Sequence, residues 1–218
     1  MLAFTYLPAP QTSNSGNEDS LVLFNQPKVK IMSNRQLGLQ HGLQHGLPRF
    51  PPDEQLVDPR FMVLGTFPGN VSRNIDNWYY MEDYNQFWPM MRIKYNLTLD
   101  TIEEQQQFLI DNGIVLWDVI AECETDGSID ENLDLDTARW NDEEIENFLI
   151  LHPGVKVIFN GKNKKVAGPI FKGVEKRLVS LNITPKKLYS TSRRNLSYFE
   201  EGAAGYEEWM RAFDIENQ

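Results

Sequence analysis

The sequence predicts an α/β fold, a three-layer α/β/α sandwich around a central, mostly parallel four-stranded sheet. Four short apolar runs, mostly β-branched or aromatic, are bounded by Gly, Pro or Asn, as is typical of buried parallel strands. They are FMVLG at 61–65, GIVLWDV at 113–119, VKVIF at 155–159 and KLYST at 187–191. Helical stretches separate them, and strands that alternate with helices form parallel sheets with right-handed crossovers.

Four stretches carry apolar residues at helical spacing, at 98–110, 143–151, 162–181 and 206–215. Asn141 and Glu144, three residues apart, resemble a capping box at the start of the second stretch. We expect Pro169 to interrupt or kink the third, because proline removes a backbone donor and clashes with the preceding turn.

Composition favours one domain preceded by an extension. Ser, Asn, Gln and Gly dominate residues 1–50, which include the repeat GLQHGLQHGL at 38–47. We predict a poorly ordered extension over 1–50 and a single α/β domain over 51–218. The N-terminus lacks a basic stretch ahead of an apolar core, and no apolar run reaches about 18 residues. We therefore expect a cytoplasmic monomer that does not enter a membrane.

Charge is strongly segregated along the chain, although the net charge is −10. Residues 155–198 contain eleven basic residues and one acid, whereas residues 100–150 contain sixteen acids and one base. This pattern indicates one cationic face, which is typical of proteins that bind phosphate backbones. The alternative is two ordinary solvated surfaces. Cys123 is the only cysteine, which rules out an iron–sulfur or four-cysteine zinc site, and we expect no metal and no cofactor.

Small and polar residues follow each predicted strand, and ligands of parallel α/β sheets bind beyond the carboxyl ends of the strands. They are Gly65, Thr66, Phe67, Pro68 and Gly69 after the first strand, Asp118 after the second, Asn160 and Lys162 after the third, and Thr191, Ser192, Arg193, Arg194 and Asn195 after the fourth. Tyr80, Asn85 and Phe87 lie further along from the first loop. We predict that all of these residues meet at one edge of the sheet.

Four segments together carry a family resemblance: LGTFPGNVSRNIDNWYYMEDYNQFW, GIVLWDVIAECETDGSID, FNGKNK and STSRRN. They resemble, in the same order over residues 60–200, the hypoxanthine-DNA glycosylase (DNA-deoxyinosine glycosylase) branch of the uracil-DNA glycosylase superfamily. The resemblance implies a uracil-DNA glycosylase-like fold and a monofunctional DNA glycosylase of base excision repair, which flips a deaminated base out of DNA and hydrolyses its glycosidic bond. Hypoxanthine would be the preferred base, ahead of uracil and xanthine, and DNA containing such a base the partner.

The resemblance implies a catalytic role for Asn85, the Asn of the family's Tyr-Tyr…Asn-x-Phe-Trp segment. An amide can orient a water or hold the sugar while positive charge develops on it. The alternative is a helix cap ahead of Phe87. Phe87 itself is either a stacking platform for the base or a core residue. The Gly65-to-Gly69 loop and Tyr80 would line the base pocket.

Asp118 stands where many members of the superfamily carry an Asn that binds uracil. An ionised carboxylate would accept a hydrogen bond from N1–H of hypoxanthine and would offer no donor to a carbonyl. The alternative is a solvated cap after the strand. Asn160 is a further candidate for base contact, although a structural turn residue is the interpretation that we favour.

The loop at 191–195, with Lys162, is the predicted DNA contact, since its hydroxyls and arginines can bind phosphates and enter the minor groove. The chain departs from the family at two places. Asp83-Tyr84 replaces the usual His-Pro, and Ser192-Arg193-Arg194-Asn195 replaces Ser-Pro-Ala-Asn. The first departure and the acidic bulk favour an alternative, a nucleic-acid-binding protein that has lost the chemistry. A further alternative is a protein-interaction module that uses the acidic face. Such a protein would not bind DNA at low salt.

Overall fold

A computed structural model of the protein describes residues 42–214. Its strands are β1 (Leu43–His45), β2 (Phe61–Gly65), β3 (Ile114–Asp118), β4 (Ile120–Thr125), β5 (Leu133–Trp140), β6 (Lys156–Asn160) and β7 (Lys186–Leu188). Its helices are α1 (Asn70–Asn74), α2 (Phe87–Tyr95), α3 (Ile102–Asp111), α4 (Asp142–Leu151), α5 (Ala167–Ser180) and α6 (Ala204–Met210). Within this range, no helix has the length and apolar character needed to cross a membrane.

The central sheet has the strand order β3-β2-β6-β7, and every neighbouring pair is parallel. Alternate residues of β2 face opposite sides, Phe61 and Val63 toward one core and Met62 and Leu64 toward the other. Helices α2, α3 and α6 complete the first core, while α4 and α5 complete the second. Helices thus cover both faces of a four-stranded parallel sheet, and the predicted three-layer α/β/α class is confirmed.

A second, antiparallel sheet with the order β1-β4-β5 accompanies the central one, and the sequence does not predict it. Its strand β1 lies inside the repeat GLQHGLQHGL at 38–47. Leu47 is 6% exposed, and Phe50 exchanges backbone hydrogen bonds with Leu116. The folded unit therefore includes residues 43–50, ahead of the boundary predicted at residue 51. The remainder of the predicted extension, residues 1–41, lies outside the described residues.

Two helix starts differ from the sequence prediction. The predicted capping box at Asn141 is wrong, because the Nδ2 of Asn141 donates to the carbonyl oxygen of Asp118 at 2.9 Å. A complete capping box instead joins Thr101 and Glu104 at the start of α3. Pro169 does not interrupt α5, because it is the third residue of that helix. A first-turn residue needs no backbone N–H for the helix.

Helices α1 and α2 also escape prediction, although both position the site. Helix α2 buries Phe87, Trp88, Met90 and Met91. It begins directly after Asn85 and Gln86. The segment that carries the predicted catalytic residue is thereby anchored to the core.

Candidate active site at the carboxyl edge of the sheet

Gly65 and Asp118 form the floor of the candidate site, at the carboxyl ends of β2 and β3. They are direct partners in the parallel register. A Cβ atom on residue 65 would overlap Oδ1 of Asp118 and would lie 3.7 Å from the hydroxyl oxygen of Tyr80. Glycine is required here because the two polar side chains approach the backbone so closely.

Tyr80 lies beside Gly65 and Asp118 and has a strained backbone. Its φ angle is 63°, in the left-handed region that a tyrosine rarely adopts, and such strain concentrates at functional sites. Its ring centroid lies 4.4 Å from that of Phe87, with an angle of 34° between the planes. Burial, and then the charge of Asp118, raise the pKa of Tyr80 far above its usual range, although nearby Asn160 partly lowers it. The phenol therefore stays neutral and can donate.

Asp118 is only 3% exposed, and its Oδ2 has no hydrogen-bond partner among residues 42–214. Burial, and then the nearby carboxylates of Asp130 and Glu82, raise the pKa of Asp118 to about 8, while Arg73 acts in the opposite direction. At pH 7 the side chain is mainly the neutral acid, with one donor and remaining acceptor capacity. This differs from the expected acceptor-only carboxylate or solvated cap, because the sequence does not reveal the burial.

Side-chain contacts with Arg73 and Asp130 hold the loop after β2 in place. Thr66 donates from Oγ1 to Oδ1 of Asp130 at 2.7 Å. The guanidinium of Arg73 donates to the carbonyl oxygen of Pro68 and lies 4.9 Å from the ring centroid of Phe67. Burial raises the pKa of Asp130 to about 6, although the hydrogen bond from Thr66 lowers it. The loop is therefore held rigidly beside the floor of the site.

Glu82 supports the other end of this loop and was not predicted from the sequence. Its two carboxylate oxygens accept hydrogen bonds from the backbone N–H of Ser72 at 3.2 Å and from the Ser72 hydroxyl at 2.8 Å. A Cβ atom on Gly69 would overlap the carboxylate of Glu82. The glycine thus permits close approach of an acid that helps to raise the pKa of Asp118.

Asn85 and Phe87 lie at the start of α2, beside the loop that follows β7. The Oδ1 of Asn85 accepts a hydrogen bond from the backbone N–H of Phe87 at 3.0 Å and so closes a turn directly ahead of α2, whose N-cap residue is Gln86. Phe87 has no exposed surface and packs against Tyr80, Trp88 and Trp209. In this conformation Phe87 is a core residue rather than an open stacking platform. The catalytic role of Asn85 stays a prediction.

Asn160 and Thr191 tie the ends of β6 and β7 together. The Nδ2 of Asn160 donates to the Thr191 hydroxyl, and its Oδ1 accepts from the Thr191 backbone N–H, both at 2.9 Å. The carbonyl oxygen of Thr191 accepts from the backbone N–H of Gln86 at 2.7 Å. Thr191 has no exposed surface, so its predicted DNA contact is unavailable in this conformation. Both residues serve structural roles, the interpretation favoured for Asn160.

The loop after β7 presents only part of its predicted DNA-binding set. Arg193 is exposed and makes no ion pair within the described range, and Ser192 is half-buried. Arg194 pairs through one nitrogen with both carboxylate oxygens of Glu131 at 2.7 Å. Asn195 donates to the carbonyl oxygen of Ser190 at 3.0 Å and so shapes the loop.

The cationic face is smaller than the sequence indicates, because acidic side chains form ion pairs with several of its basic residues. Lys162 pairs with Glu208 at 2.6 Å, and its Nζ lies 3.4 Å from the ring centroid of Tyr189. Further pairs in the region are Arg177–Glu146, Lys187–Glu175 and Arg194–Glu131. Such exposed pairs contribute little to stability because solvent screens them, so a phosphate can compete for these cations.

Contacts join several of the predicted residues along this edge of the sheet. Asp118 neighbours Gly65, Gly65 neighbours Tyr80, and the Asn85 segment is bonded through Gln86 to Thr191. The sequence did not predict that Arg73, Glu82, Asp130 and Glu131 join this edge. Their contacts join residues at least ten positions apart, except for the local contacts of Arg73 with Phe67 and Pro68, so a sequence pattern does not reveal them.

A concavity of about 300 Å³ lies at the opposite edge of the central sheet. Its lining includes Val155 and Lys156 at the start of β6, Lys186 at the start of β7, and Arg211 after α6. These are the amino-terminal ends of parallel strands, whereas ligands of open α/β sheets bind beyond the carboxyl ends. We therefore place the candidate site at the edge that contains Gly65 and Asp118.

The fold is similar to that of a protein from Methanosarcina acetivorans whose solution NMR structure is described as that of a "putative Uracil DNA glycosylase". The TM-score is 0.59 and the sequence identity 22%, over 79% of this chain and 97% of that chain. At this identity the likeness establishes the fold, and the predicted uracil-DNA glycosylase-like architecture is confirmed. No family model and no curated protein match the sequence.

Proposed function

We propose that this protein is a monofunctional DNA glycosylase that removes a deaminated base, with hypoxanthine preferred and uracil and xanthine as further candidates. The observation that carries the proposal is the convergence of the loops after β2, β3 and β7 and the segment before α2 on one buried polar floor. A base must leave the duplex before its glycosidic bond can be cut, and it then needs such an enclosed polar site.

Each part of the edge has a proposed task. Asp118 and Tyr80 bind the base, and the rigid Gly65-to-Gly69 loop lines the pocket around it. Asn85 orients water or holds the sugar, and leaving-group stabilisation supplies most of the rate. Ser192 and Arg193 bind the phosphate backbone, and Arg194 joins them when phosphate displaces Glu131. No metal or cofactor takes part, and the chain acts as a monomer on DNA in the cytoplasm.

One observation favours a second function, nucleic-acid binding without chemistry. The amide oxygen of Asn85 already accepts a hydrogen bond from Phe87, which holds the amide in the turn and leaves one lone pair and the amide nitrogen for substrate. Such a protein would bind the same DNA and leave the glycosidic bond intact.

Oligonucleotides that each carry hypoxanthine, uracil or xanthine, treated with alkali after incubation, test the proposal by revealing abasic sites. We expect strand breaks with at least the hypoxanthine substrate. Asn85→Ala should lower the rate by about 100-fold or more and leave binding nearly unchanged. Intact strands with all three bases would instead support the binding-only function.

Asn163→Ala is the matched control. Asn163 makes the same type of turn, because its Oδ1 accepts from the backbone N–H of Lys165 at 2.9 Å, but it lies on an exposed loop. This variant should retain the activity of the parent. Equal losses in both variants would mean that Asn85 acts only through the turn.

A further inference from the structure

The segment 126–132, which connects β4 to β5, crosses the carboxyl edge of the central sheet and is held there by side-chain contacts. On the side of β2, the hydroxyl of Ser128 accepts a hydrogen bond from the backbone N–H of Asn70, the first residue of α1, at 2.8 Å. On the side of β7, Glu131 pairs with Arg194 at 2.7 Å. The segment therefore joins the two loops that border the candidate site.

Asp130, inside this segment, lies against the floor of the site. It accepts a hydrogen bond from Thr66 at 2.7 Å, and its charge acts on Asp118. The Oδ2 of Asp118 and the hydroxyl oxygen of Tyr80 are both shielded from solvent. A base cannot reach the floor while these atoms are covered, so part of the wall must move before a base enters.

The segment 126–132 is the part of the wall that costs least to displace. None of its residues belongs to either hydrophobic core of the described chain, whereas Tyr80 packs against Phe87 in the first core. The Glu131–Arg194 pair is exposed, and solvent screening makes such pairs contribute little. Regions with few buried apolar contacts open locally at low cost in free energy.

The charge of the segment opposes DNA binding while it is in place. It contains Asp126, Asp130 and Glu131 and no basic residue. Both carboxylate oxygens of Glu131 accept from the Arg194 guanidinium, which is a group that a DNA phosphate would bind. Phosphate and the segment therefore compete for the same cation. A phosphate that wins this competition leaves Glu131 without its partner and beside a like charge.

We propose that the segment 126–132 is an autoinhibitory gate, which closes the site in the free protein and which a DNA phosphate opens by taking Arg194 from Glu131. The inference rests on the proposed function and adds how that site is regulated. Contact with the DNA backbone then precedes access to the floor. A free base or nucleoside has no phosphate and leaves the gate closed.

A reversible disulfide tests the gate without depending on cleavage. Asn70→Cys and Ser128→Cys are combined in the full chain at the contact between α1 and the gate, and the native Cys123 has no exposed surface. The oxidised and reduced forms are titrated with a duplex carrying 2′-fluoro-deoxyinosine, whose glycosidic bond resists cleavage. They are also titrated with the same duplex carrying an abasic analogue, and the ratio of the two Kd values isolates the contribution of the base.

Oxidation should weaken binding of the 2′-fluoro-deoxyinosine duplex by about tenfold or more and abolish the preference for the base, because the open fraction of the protein falls. Reduction should restore both, and the reduced form is the matched control because its sequence is identical. An oxidised form that prefers the base as strongly as the reduced form overturns the inference. Failure of the two cysteines to form a disulfide also overturns it, since the gate would then lie away from α1.

Ser128→Ala loosens the same contact without a covalent bond and should raise the association rate constant for both duplexes several-fold. Thr137→Ala is its control, because it removes the same type of acceptor, for the backbone N–H of Glu124 at 2.9 Å, between β4 and β5. Equal association rates of the two variants would contradict the gate. Failure to excise any base, with the redox-dependent preference intact, would contradict the proposed function and leave the gate standing.

Discussion

Gly65 sets how closely Asp118 can approach the backbone of the site. A Cβ atom at this position would overlap the carboxylate, and burial of Asp118 leaves it little room to rotate away. The backbone of Gly65 itself does not need a glycine, since its φ angle is not positive. Glycine is therefore needed at position 65 because it leaves room for the Asp118 side chain, and not because the backbone needs conformational freedom.

Gly65→Ala should displace Asp118 and lower excision by about tenfold or more, with a loss of stability of about 1–3 kcal/mol from overpacking. Single-turnover rates and urea unfolding measure the two effects. Gly168→Ala in α5 is the control, because its Cβ would lie 3.8 Å from the carbonyl oxygen of Asn163, which is an ordinary contact distance. Unchanged excision by the Gly65 variant would remove Asp118 from the site.

The raised pKa of Asp118 also leads to a prediction about the free energy of unfolding. Its pKa is raised to about 8 in the folded protein, so between pH 4 and pH 8 the folded state holds a proton that the unfolded state has released. The stabilisation from this group is complete at low pH and is lost as the pH rises through 8. Asp118→Asn should therefore become more stable relative to the parent as pH rises over this window, by up to about 1.4 kcal/mol per pH unit.

Urea unfolding at pH 5, 7 and 9 measures this difference. Asp136→Asn, which replaces an exposed aspartate on β5, is the control for loss of a carboxylate that is not buried. A difference between Asp118→Asn and the parent that stays the same at all three pH values would mean that the buried carboxyl titrates normally.

Strand β1 and the turn after it belong to the folded unit, although their sequence resembles a low-complexity tail. A three-residue strand pairs through its backbone, so it needs none of the alternation by which longer strands are predicted. Leu47→Ala should lower the free energy of unfolding by about 2–4 kcal/mol, because Leu47 is buried in the core. Leu43→Ala, half exposed on the same segment, should change it by less than about 0.5 kcal/mol. Equal effects of the two variants would place this segment outside the core.

The segment 126–132 links the loops after β2 and β7 and holds Arg194 away from solvent anions. Glu131→Gln should free Arg194 and strengthen DNA binding several-fold, and log Kd should depend more steeply on log salt concentration, by about one phosphate contact. Glu146→Gln breaks a similar pair with Arg177, between α4 and α5, and is the control. The same gain in both variants would indicate a general charge effect rather than release of Arg194.

At the scale of the whole molecule, the sequence predicts β2, β3 and β6 well because each is a nearly continuous apolar run. The fourth strand, β7, is Lys186–Leu188 and overlaps the predicted 187–191 only in part, because two exposed lysines form most of it. The antiparallel sheet and the acids at the edge could not be predicted, because their partners are distant in the chain, as Glu131 is from Arg194. Ionisation of Asp118 and burial of Phe87 depend on packing, which composition does not determine.

The central claim is that one extruded base binds between Gly65, Asn85, Asp118 and Ser192. Backbone amide shifts of the isotopically labelled full chain, recorded with and without a duplex carrying 2′-fluoro-deoxyinosine, test it most directly when compared with the abasic duplex. We predict that the shifts specific to the base cluster at these four residues and at Tyr80. Base-specific shifts at Lys156 and Lys186 on the opposite edge, or none at all, would contradict the claim.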